Sequence, residues 1–313
     1  MSMLSRVAER VYWMARYIER AEDTARLVAA YNHLIMDIPR GSEPGWEVLV
    51  KILDADPVFD EFYNVRNEQN VMRLLIGESQ AACSIPYAIR VARENVRTTR
   101  DVLPDEVWEL VNELYLYSSE ASDKSVARRT RQAYLEQVVQ RTQVINGVLR
   151  STLCRDHSYR FIKLGQLLER ADMTTRIVDV GASDILSREG VAQQGIEHLL
   201  WGTLLKSLSA LGAYRRLIEP QVEKNAAVDF VFMEPSFPRS VRFCIREIRK
   251  ELSEVENSRD ALRAIDRVRR KLRGFEAEHF TQPELHAFID ELQVLIDDLH
   301  KDIAATWFLS TKE

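Results

Sequence analysis

Apolar residues step by three and four through the start of the chain: Leu4, Val7, Val11, Met14, Ile18, Ala21, Ala25 and Val28. That spacing puts them on one face of a single long helix, which the breakers Pro39, Gly41, Pro44 and Gly45 end. Residues 46–77 read as short helices cut at Pro57. Ser84 is expected to cap a helix running to about residue 101, with Pro86 tolerated in its first turn. Pro104 opens a helix carrying Trp108, Val111 and Leu114, and a long helix covers 127–153. In the second half, helices are expected at 156–180 and 191–219, then a proline-punctuated loop at 225–238, then helices at 239–258 and 259–273. Thr281-Gln-Pro-Glu284 has the form of a capping box. It starts a last helix whose seam is Leu285, Phe288, Leu292, Leu295, Leu299 and Ile303. No stretch sustains the alternation of a strand. The pattern predicts an all-α fold.

A near-repeat refines that picture. E-R-A-E-D-T-A-R at 19–26 returns as E-R-A-D-M-T-T-R at 169–176. S-I-P-Y-A-I-R-V at Ser84 resembles S-F-P-R-S-V-R-F at Ser236, an offset of 152, while one helical turn further on Ser84 aligns with Ser240, an offset of 156. Both registers stay open from sequence. Either way the order in each half is an E-R-A helix, a spacer and a serine-capped helix. The expectation is a helical bundle of two duplicated halves, 1–155 and 156–313, related by an approximate twofold and forming one continuous body.

The repeated octapeptide carries charge on a helix. Tyr12, Arg16, Glu19, Asp23 and Arg26 form one stripe; Ile162, Gln166, Glu169, Met173 and Arg176 form its counterpart. Glu22 with Arg26, and Asp172 with Arg176, are acid-before-base pairs one turn apart. Three readings fit. The stripe is a solvated face, a buried ion-pair network between helices, or a functional carboxylate–guanidinium site. The expected cluster is Arg16, Glu19, Arg20, Arg26, Glu169, Arg170 and Arg176, with Arg16, Arg20, Arg170 and Arg176 as partners of the two glutamates. Arg93, Arg97 and Arg100 share another face, readable as an anion site or as solvated charge.

Composition narrows the function classes. The 313 residues are 29% charged and 46% hydrophobic, which suits a folded chain. The net charge of -5 speaks against a nucleic-acid or membrane-surface role, and the basic run 267–273 reads as a solvated helix face. Three cysteines without a CxxC pair argue against disulfides and zinc and point to the cytoplasm. Arg6, Glu9 and Arg10 interrupt any signal-peptide core, and no apolar run is long enough to cross a membrane. Glu276-Ala-Glu-His279 and Asp297-Asp-Leu-His300 look like helical metal-ligand pairs. Both fall in one half, so no metal site and no cofactor are expected. There is no phosphate-cradling loop, nucleophile elbow or Cys/His arrangement of recognisable spacing.

The stretch M-L-S-R-V-A-E-R-V-Y-W-M-A-R-Y-I-E-R-A-E-D-T-A-R at 3–26 closely resembles the N-terminus of the bacterial alpha-E domain family. So do Ser84-Ile85 with Ala92-Arg93-Glu94-Asn95, the second copy from Phe161 through Gly165 and Glu169-Arg170-Ala171 to Arg176, and Pro238-Arg239-Ser240-Val241 with Cys244. The resemblance covers nearly the whole chain. It implies an all-helical protein whose family glutamates are Glu19 and Glu169. It also implies partners, since such proteins are encoded or fused beside circularly permuted ATP-grasp ligase-like and transglutaminase-like proteins. The role expected is a non-catalytic helical partner of an ATP-grasp-type ligase in peptide ligation or modification, acting on the ligase or on a peptide substrate. The alternatives are an enzyme of the same pathway using Glu19, Glu169 and nearby arginines, or a purely structural helical protein.

Overall fold

The computed structural model describes residues 5–38, 45–186 and 196–308. Among them are fourteen α-helices and no strand. The first half holds α1 (Ser5–Asp37), the short α2 (Glu47–Ile52), α3 (Asp56–Phe62) and α4 (Glu68–Met72), then α5 (Ile85–Arg97), α6 (Asp105–Ser125) and α7 (Arg128–Thr152). The second holds α8 (His157–Leu186), α9 (Glu197–Ser207), α10 (Leu211–Leu217), α11 (Lys224–Met233), α12 (Val241–Leu252), α13 (Arg259–Lys271) and α14 (Gln282–Trp307). Leu4 of the predicted seam, the breakers Pro39, Gly41 and Pro44, and the predicted helix start at residue 191 lie outside the described residues.

Two circuits of helices organise the molecule. In the first, α1 packs on α5, α5 on α6, α6 on α7 and α7 back on α1; in the second, α8 packs on α12, α12 on α13, α13 on α14 and α14 back on α8. The circuits meet where α1 lies along α8, and one contiguous apolar core runs through both. The two helices come very close at Gly165. A Cβ there would stand 2.3 Å from the Tyr12 carbonyl oxygen, so only glycine permits this approach.

Local chemistry fixes several helix starts. Ser84 Oγ accepts from the Tyr87 amide at 3.1 Å, and Ser240 Oγ accepts from the Phe243 amide at the same distance. Ser236 bonds Glu234 instead. The two serines with the same capping role are therefore those 156 residues apart, Ser84 and Ser240. The box at Thr281 forms, with the Glu284 carboxylate accepting from the Thr281 amide at 2.8 Å.

Three expectations need correction. Residues 224–233 form α11, not a loop: Ala227, Val228, Phe230, Val231 and Phe232 are buried, and its prolines, Pro235 and Pro238, come only after the helix. The helix expected to reach residue 219 is broken after Ser207, where Ser209 adopts a positive φ of 54°. The helix expected to reach residue 101 stops at Arg97, with a separate short turn at Arg100–Val102. Among the described residues no helix is long and apolar enough to cross a membrane.

Candidate functional site

Helix α1 is covered on more than its apolar seam. Arg16, Glu19, Glu22, Asp23 and Thr24 are buried along with it, because α8 lies against the charged stripe. Glu19 is 0% exposed and Glu169 2%, which rules out the solvated reading of the octapeptide.

The acids and bases pair across the helix contact. Glu169 accepts from Arg16 Nε at 2.6 Å and from Arg20 Nε and Nη2 at 2.5 and 3.1 Å. Glu19 accepts from Arg170 Nε and Nη2 at 2.7 and 2.9 Å. Each motif glutamate is thus held by the arginine that follows the other one. Stacking fixes the guanidiniums: Arg16 lies 5.1 Å from the Trp13 ring and Arg20 5.1 Å from the Tyr17 ring. Burial alone would push the Glu169 carboxyl up, but the Arg20 and Arg16 charges outweigh it and hold it down at about 2. Burial likewise opposes ionisation of Glu19, and Arg170 with Arg239 hold that carboxyl well below the usual range.

Arg239 belongs to this cluster. It is buried, and its Nη2 reaches Glu22 at 2.9 Å and Glu19 at 3.2 Å while its Nη1 bonds Asp23. The sequence offers a signal for it: it directly precedes the capping Ser240. Its backbone carbonyl accepts from Thr174 Oγ1 at 3.0 Å. Arg26 pairs with Glu22 at 2.7 Å, as the i,i+4 spacing predicts. Three carboxylates, Glu19, Glu22 and Asp23, therefore face three guanidiniums, Arg26, Arg170 and Arg239. Arg176 is not a partner of either motif glutamate: it bonds Asp172 at 3.0 Å and approaches Asp54 at 3.5 Å.

Asp23 is the exception within the network, because its Oδ2 is buried without a hydrogen-bond partner. Burial pushes its carboxyl up, Arg239 opposes, and Glu19 and Glu22 add to the rise, to about 7. The folded protein thus binds this proton more tightly than the unfolded chain does. Its contribution to stability is present below the unfolded value, near 4, and is lost as pH rises through about 7. An Asp23→Asn variant should therefore gain on the wild type between pH 5 and pH 8.5, read as urea midpoints across that range. A stability difference that stays constant with pH would refute the assignment.

Arg93 and Arg97 both bond Glu94, at 2.9 and 2.8 Å, and Arg93 also reaches Asn112 at 2.8 Å, while Arg100 lies 5.3 Å from the Trp108 ring. Within the basic run, Arg269, Arg270 and Arg273 line a cavity of about 560 Å³ with Arg242 and Arg246. Glu276, Glu278 and His279 converge closely enough to hold a cation, as do Asp179, His286 and Asp290. His300 points elsewhere: its Nδ1 is 2.9 Å from the Tyr12 hydroxyl. Two cavities flank the ion-pair network. One, of about 230 Å³, is lined by Glu169, Asp172, Arg20 and Arg176 among others; a second, of about 480 Å³, reaches Glu22. Glu19 lines neither.

The chain has distant relatives. It is 20% identical to an uncharacterised protein of Mycobacterium bovis and, equally, to uncharacterised proteins of Mycobacterium tuberculosis, over 95% of this chain and 35% of each relative. It therefore spans about a third of the length of the curated relatives it matches. No solved structure matches it. The Alpha-E family, described as a predicted alpha-helical domain with a conserved ER motif, matches residues 3–308. Glu19-Arg20 and Glu169-Arg170, with their buried glutamates, are two occurrences of that dipeptide, and the chain belongs to the Alpha-E family.

Proposed function

We propose that this protein is a non-catalytic helical partner of an ATP-grasp-type ligase in a bacterial peptide-ligation or peptide-modification system. A transglutaminase-like protein is a further partner in the same system. The observation that carries the non-catalytic part is the state of the motif glutamates. Both are buried and saturated by guanidiniums, and a carboxyl held near 2 is too weak a base to take a proton at neutral pH. Such a cluster orients helices rather than reacting. The ligase as partner comes from the family resemblance. The mycobacterial relatives support a module that works beside other domains, since the match occupies 35% of each.

The two halves are read here as products of an internal duplication, 1–155 and 156–313. The exchange of arginines between Glu19 and Glu169, and the matching caps at Ser84 and Ser240, support that reading. The free thiols Cys83, Cys154 and Cys244 suit a reducing cytoplasm. The test is to purify the chain and the ligase encoded beside it, then measure co-purification and ligase turnover with and without the chain. A stable complex and raised turnover are expected. No complex and unchanged turnover would overturn the proposal.

A further inference from the structure

The cavity of about 480 Å³ beside the network is lined by parts of α1, α7 and α8 and by the segment leading into α12. Its walls carry five cations, Arg26, Arg150, Lys163, Arg170 and Arg239, against one carboxylate, Glu22. In a chain of net charge -5 this is a concentrated positive field in a concave site, the setting that draws anions. Three of the five cations are committed: Arg26 to Glu22, Arg170 to Glu19, and Arg239 to all three acids.

The other two are not. Among the described residues no carboxylate pairs with Arg150, and the Lys163 ammonium donates to the neutral Gln166 Oε1 at 2.9 Å. Lys163 is half-buried, and burial followed by the Arg170 charge pushes its pKa down. The Glu19 and Glu251 carboxylates act on Lys163 in the opposite sense, but among the described residues neither forms an ion pair with it, so an incoming anion can give the ammonium a direct partner. Side-chain amides complete the lining. Asn146 Nδ2 already sits 3.4 Å from the Glu22 carboxylate, and Gln143 is beside it. Amides both donate and accept, which matches a peptide bond and exceeds what a phosphate needs. The volume falls within the range of small-ligand sites.

We propose that this cavity binds a short acidic peptide, with a carboxylate held by Lys163 and Arg150 and main-chain groups held by Asn146 and Gln143. This deepens the function proposed above by naming the class of peptide; it rests on that reading for the peptide's fate but not for its binding. The test needs no ligase, so its failure is distinct from failure of the ligase partnership.

The full chain is titrated calorimetrically with tri-glutamate, tri-glutamine and inorganic phosphate. One saturable tri-glutamate site is expected, weakened by added salt. Lys163→Met and Arg150→Gln should each weaken it at least about tenfold, the scale of losing one charged hydrogen bond. Arg150 is exposed, so its variant should keep the wild-type urea midpoint even if Lys163→Met does not. Arg270→Gln, in the separate arginine-lined cavity, should change nothing. Equal binding of tri-glutamine, displacement by phosphate at matching concentration, or loss of binding only in Arg270→Gln would each overturn the proposal.

Discussion

An Arg239→Met variant is expected to lose about 4–5 kcal/mol of folding stability at pH 8, the upper end for removing one partner of a buried ion pair. Methionine fills much of the same space, so the loss is electrostatic rather than a cavity effect. What remains is Glu19, Glu22 and Asp23, all buried, facing only Arg170 and Arg26. The loss should shrink at pH 5.5, because Asp23 already titrates near 7 in the intact network and can take up a proton to neutralise one of the stranded charges. Arg249→Met is the control. Its pair with Asp266 is substantially exposed and is worth about 0–1 kcal/mol. Urea unfolding of both variants at both pH values decides the matter. Equal small losses would mean that the buried cluster contributes nothing beyond surface charge.

Glu169→Gln should cost about 3 kcal/mol, and Glu19→Gln a similar amount, since each leaves desolvated guanidiniums without a counter-charge. The Glu169 contribution has its own pH signature. Its carboxyl is held down at about 2, so the stability it supplies is present above the unfolded value, near 4.5, and is lost as pH falls through about 2. The wild type should weaken across that acid window, and Glu169→Gln should weaken less. A double variant of Glu19 and Arg170 should lose less than the sum of its singles, because the two charges act as a pair. If Glu169→Gln kept full stability yet abolished ligase stimulation, the glutamate would be a functional group of the partner surface rather than a structural ion pair.

Much of this fold is legible in the sequence because helix periodicity and caps are local. The seam on α1, the serines that cap α5 and α12, and the box at Thr281 each involve residues within one or two turns. The break at Ser209 is less visible, since a serine gives no warning of a positive φ. Helix α11 hides for a different reason. Its apolar residues are buried on most sides, so they show no polar face to set a period, and the nearby prolines suggest a loop. The site is half legible. Repetition of Glu-Arg-Ala points to the cluster, and Ile162 and Met173 beside the second copy hint at its burial. Pairing is tertiary, however. That Arg20 serves Glu169, that Arg170 serves Glu19, and that Arg239 enters from outside the octapeptide depend on how α1 and α8 lie together.

The contact of Tyr12 with His300 joins residues 288 positions apart, and the Tyr12 ring also meets Phe308 at 5.1 Å. A ribosome adding about 5–20 residues per second reaches His300 roughly 15–60 s after it has made Tyr12. Throughout that interval α1 lacks the aromatic lid from α14, and for much of it the arginines of the second half as well. Its acids stay hydrated until those arginines are made, and its face around Tyr12 stays uncovered until α14 is made. Completion of the α1 packing is thus postponed until α14 has been made. A nascent chain stalled before α14 leaves the Tyr12 face of α1 uncovered, the kind of surface that chaperones hold and proteases cut.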